Sequence, residues 1–170
     1  MAILDITKFG ASVLVKKAEP VTDLGPKTQK LIHDMFETMY AAQGIGLAAP
    51  QVGLPLRLAV INVTPEKKRN QFVIINPKIV KHDGKVVSEE GCLSLPGVGG
   101  AEFSRSEKVV VEALNEKGLP ITISGDGLLA RCLQHEIDHL NGKMIIHRAP
   151  IRRRFEMMWA IRKLKKEDLW

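Results

Sequence analysis

The segment Gln134-His135-Glu136-Ile137-Asp138-His139 places two histidines four residues apart, with a glutamate directly after the first. On an α-helix, residues i and i+4 share one face and lie one turn apart. Two imidazoles in this arrangement can bind one transition-metal ion, and the glutamate can then take a proton from a water molecule at that ion. The segment therefore predicts two metal ligands, His135 and His139, and a general base, Glu136.

The flanking residues predict that this segment lies on a helix of about residues 126–140. Ser124 or Asp126 can cap its N-terminus, and Asn141-Gly142 is typical of a helix end. Apolar residues recur between them at helical spacing, as expected for a helix that packs on a core. The alternative is a core helix without function, but such a face would bury histidines and acids that are costly to bury unless they are paired or bound to metal.

A third ligand is needed, because a catalytic metal site usually has three protein ligands and one open position. Cys132 lies one helical turn before His135, but its apolar neighbours indicate packing. Cys92 follows Gly91 and precedes a Leu-Ser-Leu-Pro-Gly segment, so a loop can carry its thiolate towards the helix. We therefore favour Cys92 as the third ligand, with Glu156 as the alternative.

The rest of the chain predicts one helix followed by short strands. Apolar residues lie on one side of a helix from about residue 25 to 42. A glycine-rich segment at 44–51, taken alone, predicts a loop. This order predicts an α+β fold with mostly antiparallel sheets around a central metal-binding helix, plus an N-terminal and a C-terminal helix. Strands rich in Val and Ile are expected at 56–63, 71–76, 78–81, 85–88, 108–114 and 119–124.

Length and composition indicate a single domain over residues 1–170. No apolar run is long enough to span a membrane, and the N-terminus lacks the pattern of a signal peptide. Two cysteines argue against a disulfide framework. We therefore expect a cytoplasmic protein with no membrane partner.

The net charge of +6 lies in the C-terminal part of the chain. Residues 1–142 carry sixteen basic and sixteen acidic side chains, whereas residues 143–170 carry nine basic and three acidic ones. Pro150 can open a helix, and apolar residues recur after it, which predicts an amphipathic basic helix at about 150–166. Its basic face is either solvated or docks on an acidic partner. If it only docks, deleting residues 150–170 should leave activity on short peptides nearly intact.

Three segments, taken together, resemble the ordered motifs of the peptide deformylase family. They are Gly44-Ile45-Gly46-Leu47-Ala48-Ala49-Pro50-Gln51, Glu90-Gly91-Cys92-Leu93-Ser94 and Gln134-His135-Glu136-Ile137-Asp138-His139. The resemblance covers nearly the whole chain in length, motif order and spacing, and it is greatest to the bacterial type with a helical C-terminal tail. One departure is the run Gly97-Val98-Gly99-Gly100, where some members carry an arginine near the substrate.

The resemblance implies an enzyme that removes the formyl group from the N-terminal methionine of nascent polypeptides. It implies that Cys92, His135 and His139 hold one divalent ion, with Glu136 as general acid and base. Iron(II) is the ion typical of the family, and zinc, nickel and cobalt also suit this donor set. For such an enzyme, the natural partner of the basic C-terminal helix is ribosomal RNA.

The resemblance also implies the substrate contacts. Gln51 and the backbone N–H of Leu93 would bind the formyl oxygen as it gains negative charge. Gly44, Ile45 and Gly46 would line the substrate channel and pair with the substrate backbone. We group Cys132 with these three residues.

Two other functions compete with this interpretation. A zinc endopeptidase of the His-Glu-x-x-His type would use Glu156 as third ligand, and a nucleic-acid-binding protein would enclose a structural metal with four ligands. A separate hypothesis concerns Asp138, which lies between the two histidines. We predict that Asp138 pairs with a base such as Arg105 and fixes the loop that carries Cys92.

Overall fold

The computed structural model describes residues 2–67 and 70–170. Within these residues, one α-helix precedes seven strands, which form two antiparallel sheets, and three α-helices follow them. The α-helices are α1 (Pro26–Ala41), α2 (Gly127–Leu140), α3 (Ile145–Arg148) and α4 (Ile151–Lys166), and short 3-10 helices span Ser12–Val15 and Ala49–Val52. The strands are β1 (Gly46–Ala48), β2 (Leu58–Ile61), β3 (Phe72–Asp83), β4 (Val86–Glu90), β5 (Ala101–Arg105), β6 (Lys108–Leu114) and β7 (Pro120–Asp126).

A five-stranded sheet, in the order β1-β2-β3-β6-β7, lies between α1 and α2. Successive side chains of a strand point to opposite faces. Strand β2 therefore buries Leu58 and Val60 on the side of α1, and it buries Ala59 and Ile61 on the side of α2. Because both faces of β2 are covered, its apolar run is continuous rather than alternating.

Helix α1 forms where the sequence predicts it. Pro26 occupies its first turn, where a missing N–H costs nothing, and Gln43 follows its end with a positive φ of 55°. Met35 and Met39, one turn apart, are fully buried against the sheet. The N-terminal helix is therefore held by its apolar face.

The small β4-β5 sheet and the C-terminal helices form a second core. Helix α2 lies between the two sheets, because Glu90 of β4 and Arg105 of β5 both contact its side chains. Met157 and Ile161 of α4 are buried in this second core. The α+β architecture around a central α2 is confirmed, and the C-terminal helix contributes to the core. None of the described helices is both long and apolar enough to cross a bilayer.

Several local predictions were wrong. Residues 46–48 form an edge strand, β1, rather than a loop, because β2 offers them a partner. Strand β3 runs through Pro77 instead of breaking there, because register shifts in its pairing with β6 accommodate the missing N–H. Strand β5 was not predicted, since the glycines before it mask its alternating pattern. Asp126 does precede α2, but its side chain makes no capping hydrogen bond.

Candidate metal centre

Helix α2 and the turn after β4 bring together the three residues expected to bind metal. Atoms of Cys92, His135 and His139 that can bind metal all lie within 4.8 Å of one another. The Nε2 atoms of the two histidines are 3.2 Å apart, and Cys92 Sγ is 3.3 Å from His139 Nε2. Lone pairs this close repel unless a proton or a cation lies between them. One thiolate and two imidazoles are a donor set that fits a divalent transition metal.

Glu136 lies beside this group in a buried position. Its Oε2 atom is buried without a hydrogen-bond partner in the part of the chain that the structure describes. Burial raises the pKa of the carboxyl group to about 7. A Cβ atom at Gly46 would collide with Glu136 Oε1 and lie 2.8 Å from Cys132 Sγ, so a larger residue would displace the carboxylate from its present position.

Gln51 is almost fully buried, and its amide has a fixed orientation. Its Oε1 accepts a hydrogen bond of 2.9 Å from the Ala48 N–H. Its Nε2 therefore points towards Ser94 Oγ, at 3.3 Å, and Cys92 Sγ, at 3.7 Å. An amide donor held in this way can bind a developing negative charge without reorganising.

These groups open onto a cavity of about 510 Å³. The cavity brings together sequence-predicted residues from all three motifs, and their individual roles remain predictions. Arg131 and Leu128 of α2 also line the cavity, as does the glycine run after Cys92. The sequence-predicted residues that line it are Gly44, Ile45, Gly46, Gln51, Cys92, Leu93, Cys132, His135 and Glu136. His139 is buried behind them.

A buried network of charges supports the ligands from behind. His135 Nδ1 lies 3.2 Å from Glu90 Oε2, and Arg105 donates two hydrogen bonds of 2.8 Å to the same carboxylate. Arg105 also donates to Asp138 at 2.5 Å, which confirms the predicted pairing. Arg148 of α3 completes the network with two bonds to Asp138, of 2.5 and 2.6 Å. A carboxylate behind a ligating histidine orients the ring and increases its basicity.

Burial and neighbouring charges change the pKa values of Glu90, in this network, and of His139, beside it. Burial alone would raise the pKa of the Glu90 carboxyl, but hydrogen bonds from Arg105 and His135 outweigh burial and lower the pKa to about 2. Burial, followed by nearby positive charge, lowers the pKa of His139 well below its ordinary value. A neutral imidazole is the form that binds a metal.

Sequence reasoning did not identify Glu90 and Arg148 as part of this network. The sequence held a clue to the role of Glu90, since an acid that ends a strand two residues before a predicted ligand can point towards the site. It held no clue for Arg148, because only folding brings α3 onto α2. The alternative ligand Glu156 is not in the ligand group; it pairs with Arg152 and Arg153 on α4.

Known proteins resemble this chain in sequence and in structure. A family model described as polypeptide deformylase matches residues 3–155. A peptide deformylase of Thermodesulfovibrio yellowstonii is 50% identical over 155 residues, covering 90% of this chain and 93% of that protein. One of Acidobacterium capsulatum is 43% identical over 171 residues and covers 100% of both chains.

Solved structures agree with the sequence relatives. The crystal structure of a peptide deformylase from Legionella pneumophila has a TM-score of 0.93 at 47% identity, covering 98% of each chain. A peptide deformylase from Synechococcus elongatus, solved in complex with actinonin, has a TM-score of 0.84 at 42% identity, covering 94% of this chain and 85% of that one. The motifs, the fold and the family match agree, and the chain belongs to the polypeptide deformylase family.

Proposed function

We propose that residues 1–170 act as one catalytic domain that removes the formyl group from the N-terminal formyl-methionine of new polypeptides, releasing formate. The observation that carries this proposal is the position of Glu136. Its carboxylate lies in the same cavity as Cys92, His135 and the fixed amide of Gln51. A base, a donor for an oxyanion and side chains that would hold a divalent metal, gathered at one cavity, are the parts that hydrolysis of an amide requires.

Each residue has a defined task in this reaction. A divalent ion held by Cys92, His135 and His139 would lower the pKa of a water molecule and polarise the formyl carbonyl. Glu136 accepts the proton of the attacking water and then delivers it to the leaving amine. Gln51 Nε2 and the Leu93 N–H donate to the oxygen that becomes negative as the formyl carbon turns tetrahedral.

We further propose that the substrate binds as an extended strand along β1. The N–H of Asn62 donates to the Ile45 carbonyl at 2.9 Å, and β1 is the last strand of its sheet. In an antiparallel ladder the next residue, Gly46, then directs its N–H and carbonyl away from β2. An extended peptide can pair with these groups, as in other cases of strand addition. Gly44 and Cys132 line the same channel.

We propose iron(II) as the working ion on the basis of the family resemblance, with zinc, nickel or cobalt as substitutes. A ferrous site with a thiolate ligand is sensitive to oxygen, because the sulfur can be oxidised. The test is formate release from a formyl-Met peptide by protein purified without oxygen, with bound metal quantified in the same sample. Rapid release with about one iron per chain supports the proposal.

Two variants make this test specific. Glu136→Ala should retain the metal and lose turnover, whereas Cys92→Ser should lose both. A fully metallated wild-type protein that releases no formate would refute the proposed function. Cleavage of internal peptide bonds by that protein would instead favour an endopeptidase.

We propose, finally, that the basic C-terminal helix docks on ribosomal RNA in the cytoplasm, where formylated chains are made. Arg153 and Arg154 are less available to bind RNA phosphates, because each donates hydrogen bonds to backbone carbonyls of this chain. The exposed cations Arg162, Lys163 and Lys166 also lie on α4, and of these Lys163 forms an exposed ion pair of 3.9 Å with Glu167. Such a patch attracts phosphates in a salt-dependent manner.

The buried residues of α4 make its deletion a poor test of docking. A better test reverses the charge of the three exposed cations to Glu and measures co-sedimentation with ribosomes at low and high salt. The matched control reverses Lys27, Lys85 and Lys117, which are exposed elsewhere. Loss of binding in both variants, or in neither, would contradict the proposed dock.

A further inference from the structure

One wall of the cavity consists mainly of glycine. Gly97, Gly99 and Gly100 all line the cavity, and φ is +70° at Gly97 and +76° at Gly99. Glycine loses more conformational freedom on ordering than any other residue. This wall therefore needs contacts from elsewhere to keep one shape.

The C-terminal helix supplies those contacts. Arg153 of α4 donates from Nη2 to the Gly100 carbonyl at 2.5 Å, and its Nη2 lies 3.5 Å from the position of a Cβ at Gly99. Leu164 packs 3.4 Å from the corresponding position at Gly97. Between these points, Val98 is buried in the second core with Met157. A hydrogen bond from a guanidinium to a carbonyl is stronger than one between neutral groups.

The Arg153 contact lies at the border of the cavity. Glu89 and Gly100 line both the main cavity and a neighbouring depression of about 370 Å³, which Arg153 also lines. The expected metal ligands Cys92 and His135 line the main cavity, whereas Gly100 lies at its border with this depression. Arg152, one residue earlier, is exposed and contacts only Glu156 among the ion pairs of the described residues.

We infer that Arg153 is a positioning residue that holds the Gly97–Gly100 wall in the shape that binds substrate residues following the formylated one. This inference rests on the proposed function and extends it to the binding of the rest of the peptide. Leu164 and the buried Val98 still hold the Gly97 end of the wall. Without the Arg153 contact, the Gly99–Gly100 end must be ordered when the peptide binds, and the entropy lost in that step weakens binding. The chemistry at the metal is unaffected, because Arg153 does not contact any ligand.

The test compares Arg153→Ala with Arg152→Ala as the matched control, since each removes one cation and one contact to Glu156. Both metal-loaded variants are assayed with formyl-Met amide and with a formylated tetrapeptide. For Arg153→Ala we expect KM for the tetrapeptide to rise about tenfold, which corresponds to about 1.4 kcal/mol. We expect its kcat, and KM for formyl-Met amide, to change less than twofold.

Hydrogen exchange provides a readout that does not depend on activity. Backbone amides of residues 97–101 should exchange faster in Arg153→Ala than in Arg152→Ala, with the rest of the chain unchanged. Equal effects of the two variants, or an equal rise in KM for both substrates, would overturn the inference. If the wild-type protein releases no formate, the proposed function fails, and the exchange experiment still tests the contact by itself.

Discussion

Replacing Arg105 by Met should strongly destabilise the protein, because it leaves Glu90 buried without its main cation and Asp138 with Arg148 alone. The Arg105 side chain is 2% exposed and bridges Glu90 and Asp138. Removing one partner of a buried ion pair typically costs about 3–5 kcal/mol. The lowering of the Glu90 pKa from 4.5 to about 2, to which Arg105 contributes most and His135 also contributes, corresponds to about 3 kcal/mol.

The pH dependence of this stabilisation has a definite sign. Since the folded-state pKa of Glu90 lies below its ordinary value, its stabilisation is fully present above about pH 4.5. It is lost as the pH falls from 4.5 through about 2, and below that pH the carboxyl is protonated in both states. Arg105→Met should therefore cost about 3 kcal/mol at pH 7, and the difference from wild type should shrink within that acidic window.

Arg148→Met is the matched control, since Arg148 also pairs with Asp138 but its side chain is 41% exposed. Solvent screens such a pair, so the loss should be at most about 1 kcal/mol. The assay is urea unfolding of the wild type and both variants at pH 7 and at intervals down to pH 3, all in the metal-free form so that loss of metal in acid does not contribute. In thermal unfolding, a loss of 3 kcal/mol would correspond to about 10 °C in Tm. Equal losses for the two variants, or a loss for Arg105→Met that does not depend on pH, would refute the reasoning.

Three further predictions concern separate parts of the molecule. Gly46→Ala should retain the metal but lower kcat about 100-fold, because its Cβ displaces the Glu136 carboxylate; normal kcat in this variant would show that the carboxylate can move aside. Gln51→Leu should also lower kcat about 100-fold at normal metal content, because one donor to the oxyanion is lost, and unchanged kinetics would remove Gln51 from the mechanism. Met157→Ala should cost about 2–5 kcal/mol in thermal or urea unfolding, because Met157 is fully buried in the second core. The exposed Phe155→Ala should change stability by less than about 0.5 kcal/mol, and equal effects of the two would contradict the packing of α4.

The sequence alone determined the features that depend on local periodicity. The spacing of His135 and His139 predicted a shared helix face, because 3.6 residues per turn bring i and i+4 together whatever surrounds them. Helix α1 was predicted at nearly its observed bounds from the same helical spacing, and strand β6 from its run of valines. The three ordered motifs also identified the family, since each motif has its defining residues at fixed positions.

Only the tertiary structure decided how distant segments meet. Residues 46–48 and 101–105 form strands because partners elsewhere in the chain satisfy their backbone groups. Glu90 and Arg148 join the metal centre because Arg105 and Asp138 would otherwise be buried without full compensation of their charge. Such contacts depend on burial and on distance in space, and neither quantity is set by the spacing of residues along a single segment.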